Sequence, residues 1–276
     1  MTEPQTARPL SRTLRYLAPN LVTAMSIVCA VLSVQQAMRG EIVQACWWVV
    51  YSTLTDKLDG IVARAVKGSS PLGVQMDSLA DLLNYGFAPA AIAFAFFSKH
   101  PELGWATGWQ SYALSAICCL YALSAAVRLA RFNVSEGNPN FFFGIPSTFA
   151  GGIAVLLMIA LCKYGDPAWT AHDTFPGWRI LGSTRLDAVM PYFPWVMLFF
   201  GWAMLSSWRV PKAGRLKNRI LNYYLLASMV IGWALGILHL VPEFLIFGGI
   251  QYLLICVYAH FFMTPPEKPE PMFQAA

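Results

Sequence analysis

The sequence predicts an all-α integral membrane protein with about eight transmembrane helices. Of its 276 residues, 57% are hydrophobic and 12% are charged, about half the charged share of an ordinary soluble domain. Eight spans of roughly 20 residues need about 160 apolar positions, and the composition supplies about that many. The mean hydropathy of +0.52 agrees, as do the 10 Trp, 11 Tyr and 18 Phe, because aromatic side chains collect at membrane interfaces. Disordered, collagen-like and disulfide-stapled classes are therefore excluded.

Long apolar runs define the spans in chain order. A polar, basic leader precedes the first run, and the second continues through WWVVYSTLT into a charged stretch. The predicted boundaries are about 20–38 and 41–66 for the first two spans, a start near 76 for the third, an end at Arg131 for the fourth, and starts near 147, 188, 220 and 243 for the others. An even number of crossings places both termini on one side of the membrane.

The distribution of basic residues predicts which side that is. With a cytoplasmic N-terminus, the outer side keeps only five of the 19 basic residues, which satisfies the positive-inside rule. Those five are Arg39, Lys99, Lys163, Arg179 and Arg185. The net charge of +5 is thus interpreted as a topology signal and an attraction to lipid surfaces. No nucleic-acid partner is expected.

Four of the 14 acidic residues fall within residues 56–81, at the edge of the predicted membrane. At 100° per residue, Asp56 and Asp59 lie on one helical face. Asp77 and Asp81, at i and i+4, share a face of the next helix and can meet the first pair across an antiparallel contact. The sequence therefore predicts that four carboxylates converge on one small volume.

Such a cluster is costly unless it is compensated. Each carboxylate costs roughly 2.5 to 3.5 kcal/mol at the centre of a membrane helix on insertion scales. One or two hard divalent cations resolve this cost, because oxygen-rich sites suit magnesium, manganese or calcium. Two metals about 4 Å apart also clamp a phosphate during displacement. The alternative is a set of interfacial caps, with Lys57, Arg64 and Lys67 as salt-bridge partners.

These residues carry a family resemblance. The pattern D-x-x-D-G-x-x-A-R-x8-G-x3-D-x3-D resembles the complete signature of the CDP-alcohol phosphotransferases, spacer length included. Its fixed positions are Asp56, Asp59, Gly60, Ala63, Arg64, Gly73, Asp77 and Asp81.

The resemblance implies a core of six membrane helices and a CDP-linked donor. It implies two divalent metals, Mg²⁺ or Mn²⁺, held by the four aspartates, with Asp81 as the general base for the attacking hydroxyl. It also implies a homodimer. A CDP pocket is expected at the small and basic positions of the signature, Gly60, Ala63, Arg64 and Gly73. Asn20 and Thr23, before and within the first span, either contact the cytidine, as the resemblance suggests, or cap the first helix; capping is slightly favoured for Asn20.

Three further segments resemble the phosphatidylserine synthases within that family. They are DSLADLLNYGFAPA from Asp77, RLARFN from Arg128 and FGIPS from Phe143, the last with Ile145 where the family usually has Leu. A partial match, WRVPK, follows at Trp208, and the resemblance covers about residues 15–215. It implies L-serine as the acceptor.

The residues near these segments fit an anionic or zwitterionic ligand. Arg128 and Arg131, at i and i+3, are close enough to one face to hold a carboxylate or phosphate. Alternatively, both are positive-inside anchors at a cytoplasmic helix end. Ser147 either contacts the substrate or caps the fifth span after Pro146.

The expected function is therefore phosphatidyl transfer from CDP-diacylglycerol to L-serine, giving phosphatidylserine and CMP, in a bacterial-type inner membrane with the site at the cytoplasmic face. The alternatives are a sister enzyme that uses choline, glycerol 3-phosphate or inositol phosphate, and more remotely a cation-coupled transporter. The expected division is a cytoplasmic segment 1–16, a catalytic core 17–208, a basic loop with two more spans 209–264, and a disordered Pro-rich tail 265–276.

Overall fold

The structure, a computed structural model, describes the backbone of most of the chain. The described ranges are 9–66, 71–134, 141–170, 179–182, 184–211 and 242–262, with isolated positions at 223, 227, 230, 231, 234 and 238. Within them, side chains are not described at 9–19, 57, 59–71, 141–142, 170, 209, 211, 256 and 259–262. The tail 265–276 and nearly all of the predicted seventh span lie outside the described residues.

The described chain is mostly helical. Its helices are α1 (Pro9–Arg39), α2 (Ile42–Val66), α3 (Pro71–Asp81), α4 (Ala88–Lys99), α5 (Gly108–Val134), α6 (Ser147–Tyr164), α7 (Phe193–Leu205) and α8 (Pro242–Phe262). Short 3₁₀ turns occur at Pro101–Leu103, Pro167–Thr170 and Met190–Tyr192. Two three-residue strands, β1 (Phe141–Phe143) and β2 (Arg209–Pro211), pair antiparallel with Phe142 opposite Val210. This small ribbon is the one addition to the predicted helical class within the described ranges.

Within the described residues, four helical segments are long and apolar enough to cross a membrane. They are Asn20–Arg39, Leu72–Lys99, Gly108–Val134 and Ser147–Tyr164, and the shorter apolar helices are Met190–Leu205 and Pro242–Ile255. The predicted class, a helical protein with membrane-spanning segments, is confirmed. The number of eight spans and the side of the termini stay predictions.

The helix boundaries agree with the apolar runs in some places and not in others. The predicted starts at 41, 147 and 243 fall within one residue of α2, α6 and α8. In contrast, α1 begins at Pro9, well before the predicted start at residue 20. A helix does not need apolar side chains to continue, so the basic leader extends α1 beyond its apolar run.

A π-helical turn at Leu82–Phe87 joins α3 to α4, so that Leu72–Lys99 is one continuous helix. Pro89 lacks the N–H that would bond the carbonyl of Tyr85 in a regular α-helix, and the Tyr121 hydroxyl donates to that carbonyl instead at 2.9 Å. The Asn84 amide donates to the carbonyl of Ala80 at 3.0 Å. Side-chain donors thus reach backbone carbonyls around the irregular turn.

The π turn lies at the centre of the helix packing, in contact with α1, α2, α5 and α6. The Asn84 amide also donates to the carbonyl and the hydroxyl of Ser26 on α1, both at 2.9 Å. Glycines allow the close approaches: a Cβ at Gly86 would lie 2.8 Å from Cβ of Ala125 on α5, and one at Gly151 of α6 would lie 2.7 Å from Cα of Tyr85. The turn that follows Asp81 is therefore held on several sides.

Candidate functional site

Three of the four predicted carboxylates meet in the structure. Asp56 comes from α2, and Asp77 and Asp81 lie one turn apart on α3. One carboxylate oxygen of each lies within 4.8 Å of the others, and all three side chains are half-buried. The i, i+4 spacing aligns the α3 pair, whereas the packing of α1 with both α2 and α3 helps to bring Asp56 to that pair.

The remaining signature positions are described less fully. Asp59 follows Asp56 by three residues on α2, and its side chain lies outside the described residues. The same holds for Gly60, Ala63 and Arg64, whose backbone is helical. Gly73 lies in the first turn of α3 and is half-buried.

The geometry of the carboxylate cluster fits a hard divalent cation. Two oxygens that bind the same ion lie at most twice the metal–oxygen distance apart, about 4.2 Å for Mg²⁺ and about 5 Å for Ca²⁺. Three oxygens within 4.8 Å of one another match such a ligand shell, with a slight contraction for the smaller ion. Half-buried carboxylates also gain more from a cation than exposed ones do, because water screens them less.

Tyr85 is a buried neighbour of this cluster that sequence reasoning missed. Its side chain is fully buried, and its hydroxyl lies within electrostatic range of Asp56 and Asp81 and near the hydroxyls of Ser52 and Thr53. The residue is part of the DSLADLLNYGFAPA segment and lies within the π turn. Pro89, four residues later, is a signal from which an irregular helix could have been predicted there.

Arg128 lies beside the cluster and is held by Ser147. Its side chain is buried, its NH1 donates to Oγ of Ser147 at 3.1 Å, and its guanidinium lies 5.6 Å from the ring centroid of Phe132. Arg128 also interacts electrostatically with Asp81. An interfacial anchor keeps its charged end in water, so burial argues against the anchor interpretation for Arg128.

For Ser147 and Asn20, the capping alternative is wrong. Ser147 is the first residue of α6 rather than its cap, and the preceding Pro146 makes no side-chain capping bond; the Ser147 hydroxyl accepts from Arg128 instead. Asn20 lies in the middle of α1, because that helix begins at Pro9, so it cannot cap its N-terminus. Asn20 is half-buried and Thr23 is buried on the side of α1 that also carries Ser26.

Arg131, one turn beyond Arg128, is half-buried near the end of α5. Two residues later, Asn133 exchanges hydrogen bonds with Ser78 of α3, at 2.9 and 3.3 Å between the side-chain atoms. This contact lies between Asp77 and Asp81 along α3. The end of α5 therefore lies next to the carboxylate cluster.

The β1–β2 ribbon positions the start of α6. Gly144 follows β1 with φ of 75°, and its N–H donates to the carbonyl of Trp208 at 2.8 Å. A Cβ at Gly144 would lie 2.2 Å from the carbonyl oxygen of Met204, so no other residue fits without a shift. The N–H of Ile145 donates to the carbonyl of Ala203 at 3.1 Å. Ser147 is thereby fixed two residues later.

Fold and site together define a class: a helical protein of the membrane in which carboxylates from two helices and a buried arginine gather at one end of the helices. Residues 16–208 match the family model described as CDP-alcohol phosphatidyltransferase. The chain belongs to this family.

Three curated relatives of the chain share one name. A CDP-diacylglycerol–serine O-phosphatidyltransferase of Helicobacter pylori is 40% identical over 151 residues, which are 54% of this chain and 60% of that protein. The enzyme of that name from Saccharomyces cerevisiae is 33% identical over 181 residues, 61% of this chain and 58% of the relative. The one from Mycobacterium leprae is 32% identical over 176 residues, 60% and 55% respectively. The chain thus spans 55 to 60% of the length of these three relatives.

Proposed function

We propose that this membrane protein transfers the phosphatidyl group of CDP-diacylglycerol to the hydroxyl of L-serine, giving phosphatidylserine and CMP. The observation that carries the proposal is the convergence of Asp56, Asp77 and Asp81 within 4.8 Å, beside a buried arginine. Family membership and the common name of the relatives support the same reaction. Together they favour serine over choline, glycerol 3-phosphate or inositol phosphate as the acceptor.

On the donor side, Asp56, Asp59, Asp77 and Asp81 would hold Mg²⁺ or Mn²⁺, two ions per site by family resemblance. Bound cations would offset the pyrophosphate charge and stabilise the departing CMP. The protein's own task is to hold these oxygens in place, which the packed π turn after Asp81 supports. The cytidine diphosphate pocket would be formed by Gly60, Ala63, Arg64 and Gly73, with Thr23 and Asn20 from α1.

On the acceptor side, the hydroxyl oxygen of serine forms a bond to the phosphorus that carries the diacylglycerol, and the bond from that phosphorus to the CMP oxygen breaks. Asp81 takes the hydroxyl proton, so the proton and the leaving group are both accounted for. Arg128 binds the serine carboxylate, while Ser147 orients the guanidinium from the other side. Arg131 adds positive charge one turn away.

We further propose the finer topology, with about eight spans, both termini in the cytoplasm, a site at the cytoplasmic face of a bacterial-type inner membrane, and a homodimer. Basic residues assigned to the outer side support this orientation. Lys99 ends α4 at the opposite end of the long helix from Asp77, and it donates to the carbonyl of Met38 at 2.9 Å. A lipid donor can keep its acyl chains in the bilayer when the site lies at the membrane edge.

An acceptor panel tests the reaction. Membranes containing the protein, and control membranes without it, are incubated with CDP-diacylglycerol and Mg²⁺ or Mn²⁺ plus serine, choline, glycerol 3-phosphate or inositol phosphate, and CMP release is followed. We expect CMP release that depends on serine. Release with another acceptor but not with serine would overturn the choice of acceptor, and release with none would overturn the transferase.

Ethanolamine sharpens the test of Arg128, because it is serine without the carboxylate. The wild type should use serine far better than ethanolamine. The Arg128→Gln variant should lose most of that preference through a higher KM for serine. Arg185→Gln is the control, because Arg185 lies in the connection before α7 and pairs there with Asp187 at 2.6 Å. An unchanged preference in Arg128→Gln would remove Arg128 from the carboxylate site.

A further inference from the structure

The last helix, α8, lies beyond residues 16–208 that match the family, yet it packs along α6 and against β2. Its contacts with α6 run antiparallel. Glu243 meets Lys163 at the far end of α6, with 2.8 Å between Oε1 and Nζ. Tyr252 meets Phe149 at the near end, with ring centroids 5.0 Å apart. The helix therefore extends from the opposite end of the molecule toward the site.

Two contacts between α6 and α8, an ion pair and a close approach at a glycine, set the position of α8 along α6. Lys163 is 1% exposed and Glu243 is 13% exposed, so a shift of α8 would separate two largely buried charges. Gly249 allows close contact, since a Cβ there would lie 2.0 Å from Cδ1 of Ile153. Its neighbour Gly248 has nothing within 4 Å of the corresponding position.

This register places Tyr252 next to the acceptor side of the site. Phe149, its ring partner, follows Ser147 by two residues in the first turn of α6. Ser147 accepts the hydrogen bond of Arg128, and the Tyr252 side chain is close enough to Arg128 to interact with it electrostatically. Tyr252 is half-buried. A helix outside the matched family segment thus extends to the guanidinium that binds the acceptor in the proposed reaction.

We propose that Tyr252 is a positioning residue of the acceptor site: from α8, its hydroxyl holds the Arg128 guanidinium in the orientation that receives the carboxylate of the acceptor alcohol. Ser147 restrains the guanidinium from α6 and Tyr252 restrains it from α8, so that the remaining N–H groups face the ligand. The last helix then contributes to acceptor selectivity, whereas donor binding depends on α1 to α3. This inference rests on the proposed function.

The test compares Tyr252→Phe with Tyr112→Phe. The first change removes only the hydroxyl and keeps the ring against Phe149, and the second makes the same change at a side chain that is 79% exposed. We expect Tyr252→Phe to raise the KM for serine about tenfold, near the low end for a hydrogen bond to a charged group. The KM for CDP-diacylglycerol and the Tm should not change. Tyr112→Phe should leave all these values unchanged.

A second pair of variants tests the placement of α8 without touching Tyr252. Gly249→Leu places a side chain against Ile153 and should separate α8 from α6, which again raises the KM for serine more than the KM for CDP-diacylglycerol. Gly248→Leu is the matched control, because its side chain enters open space, and it should behave as the wild type.

The outcomes separate the two proposals. If the wild type releases CMP with serine but Tyr252→Phe keeps its KM for serine within twofold, the role of Tyr252 is overturned. If Tyr252→Phe changes the KM of both substrates and lowers the Tm together, Tyr252 is structural and the inference also fails. If the wild type shows no CMP release with serine, the proposed function fails, and this inference fails with it.

Discussion

The contact between α6 and the π turn predicts a sharp difference between two neighbouring glycines. Gly151 lies one turn after Ser147, and a Cβ there would lie 2.7 Å from both Cα and the carbonyl oxygen of Tyr85. These are backbone atoms of a turn that other helices hold, so they cannot rotate away. Gly152 has nothing within 4 Å of its Cβ position. Gly151→Ala should therefore destabilise the protein, and Gly152→Ala should not.

The pair isolates the cost of the clash. Replacement of glycine by alanine within a helix favours the helix by about 1 kcal/mol, and this gain is common to both variants. Overpacking of a close contact costs about 1–3 kcal/mol, and only Gly151→Ala incurs it. The two variants should thus differ by about 1–3 kcal/mol in the free energy of unfolding, or roughly 2–12 °C in Tm for a chain of this size.

Thermal unfolding of the purified variants in one detergent gives the comparison, with the wild type alongside. Because Ser147 lies one turn before Gly151, we also expect Gly151→Ala to raise the KM for serine. Equal Tm values for Gly151→Ala and Gly152→Ala, within about 1 °C, would refute the close packing of α6 on the π turn.

Three further predictions concern the charged groups. Asp81→Asn should reduce serine-dependent CMP release by about 10²–10⁴-fold, the usual contribution of a general base, and its Tm should stay close to that of the wild type. Activity above a tenth of the wild type would show that Asp81 is not the general base. Removal of divalent cations with EDTA should abolish CMP release, and added Mn²⁺ or Mg²⁺ should restore it, whereas activity that persists in EDTA would contradict metal dependence. Lys163→Met should destabilise the protein by about 3–5 kcal/mol, because it removes the cation that faces the largely buried Glu243 carboxylate and leaves only the hydrogen bond from the Tyr164 hydroxyl. Lys163→Met with Glu243→Leu should recover most of that loss; additive losses in the double variant would show that the pair is not coupled.

Much of the candidate site follows from local geometry. Asp77 and Asp81 share a helical face because four residues make about one turn, and no tertiary information is needed for that conclusion. The approach of Asp56 was also predictable, because uncompensated carboxylates at a membrane edge are costly unless they gather around a cation. The starts of α2 and α6 coincide with the starts of apolar runs for a similar reason, since the bilayer requires apolar side chains.

Local patterns failed where a side chain had more than one partner available. Ser147 after Pro146 has the residue type and position of a cap, but in the structure its hydroxyl accepts a hydrogen bond from Arg128 of α5. Asn20 before an apolar run also has the residue type of a cap, but α1 begins at Pro9 and contains it. In both cases a small polar residue fits several local roles, and packing selects among them.

The sequence by itself determined the helical membrane class, the carboxylate cluster and the family, because hydrophobic period and motif spacing act over a few turns of one helix. Tertiary structure alone decided the π turn after Asp81, the burial of Arg128 against Ser147, and the approach of Tyr252 from α8. Each of these depends on contacts between different helices. Such contacts depend on how closely helices can approach at glycines such as Gly86 and Gly151, and no local pattern encodes which face of a helix its neighbour will meet.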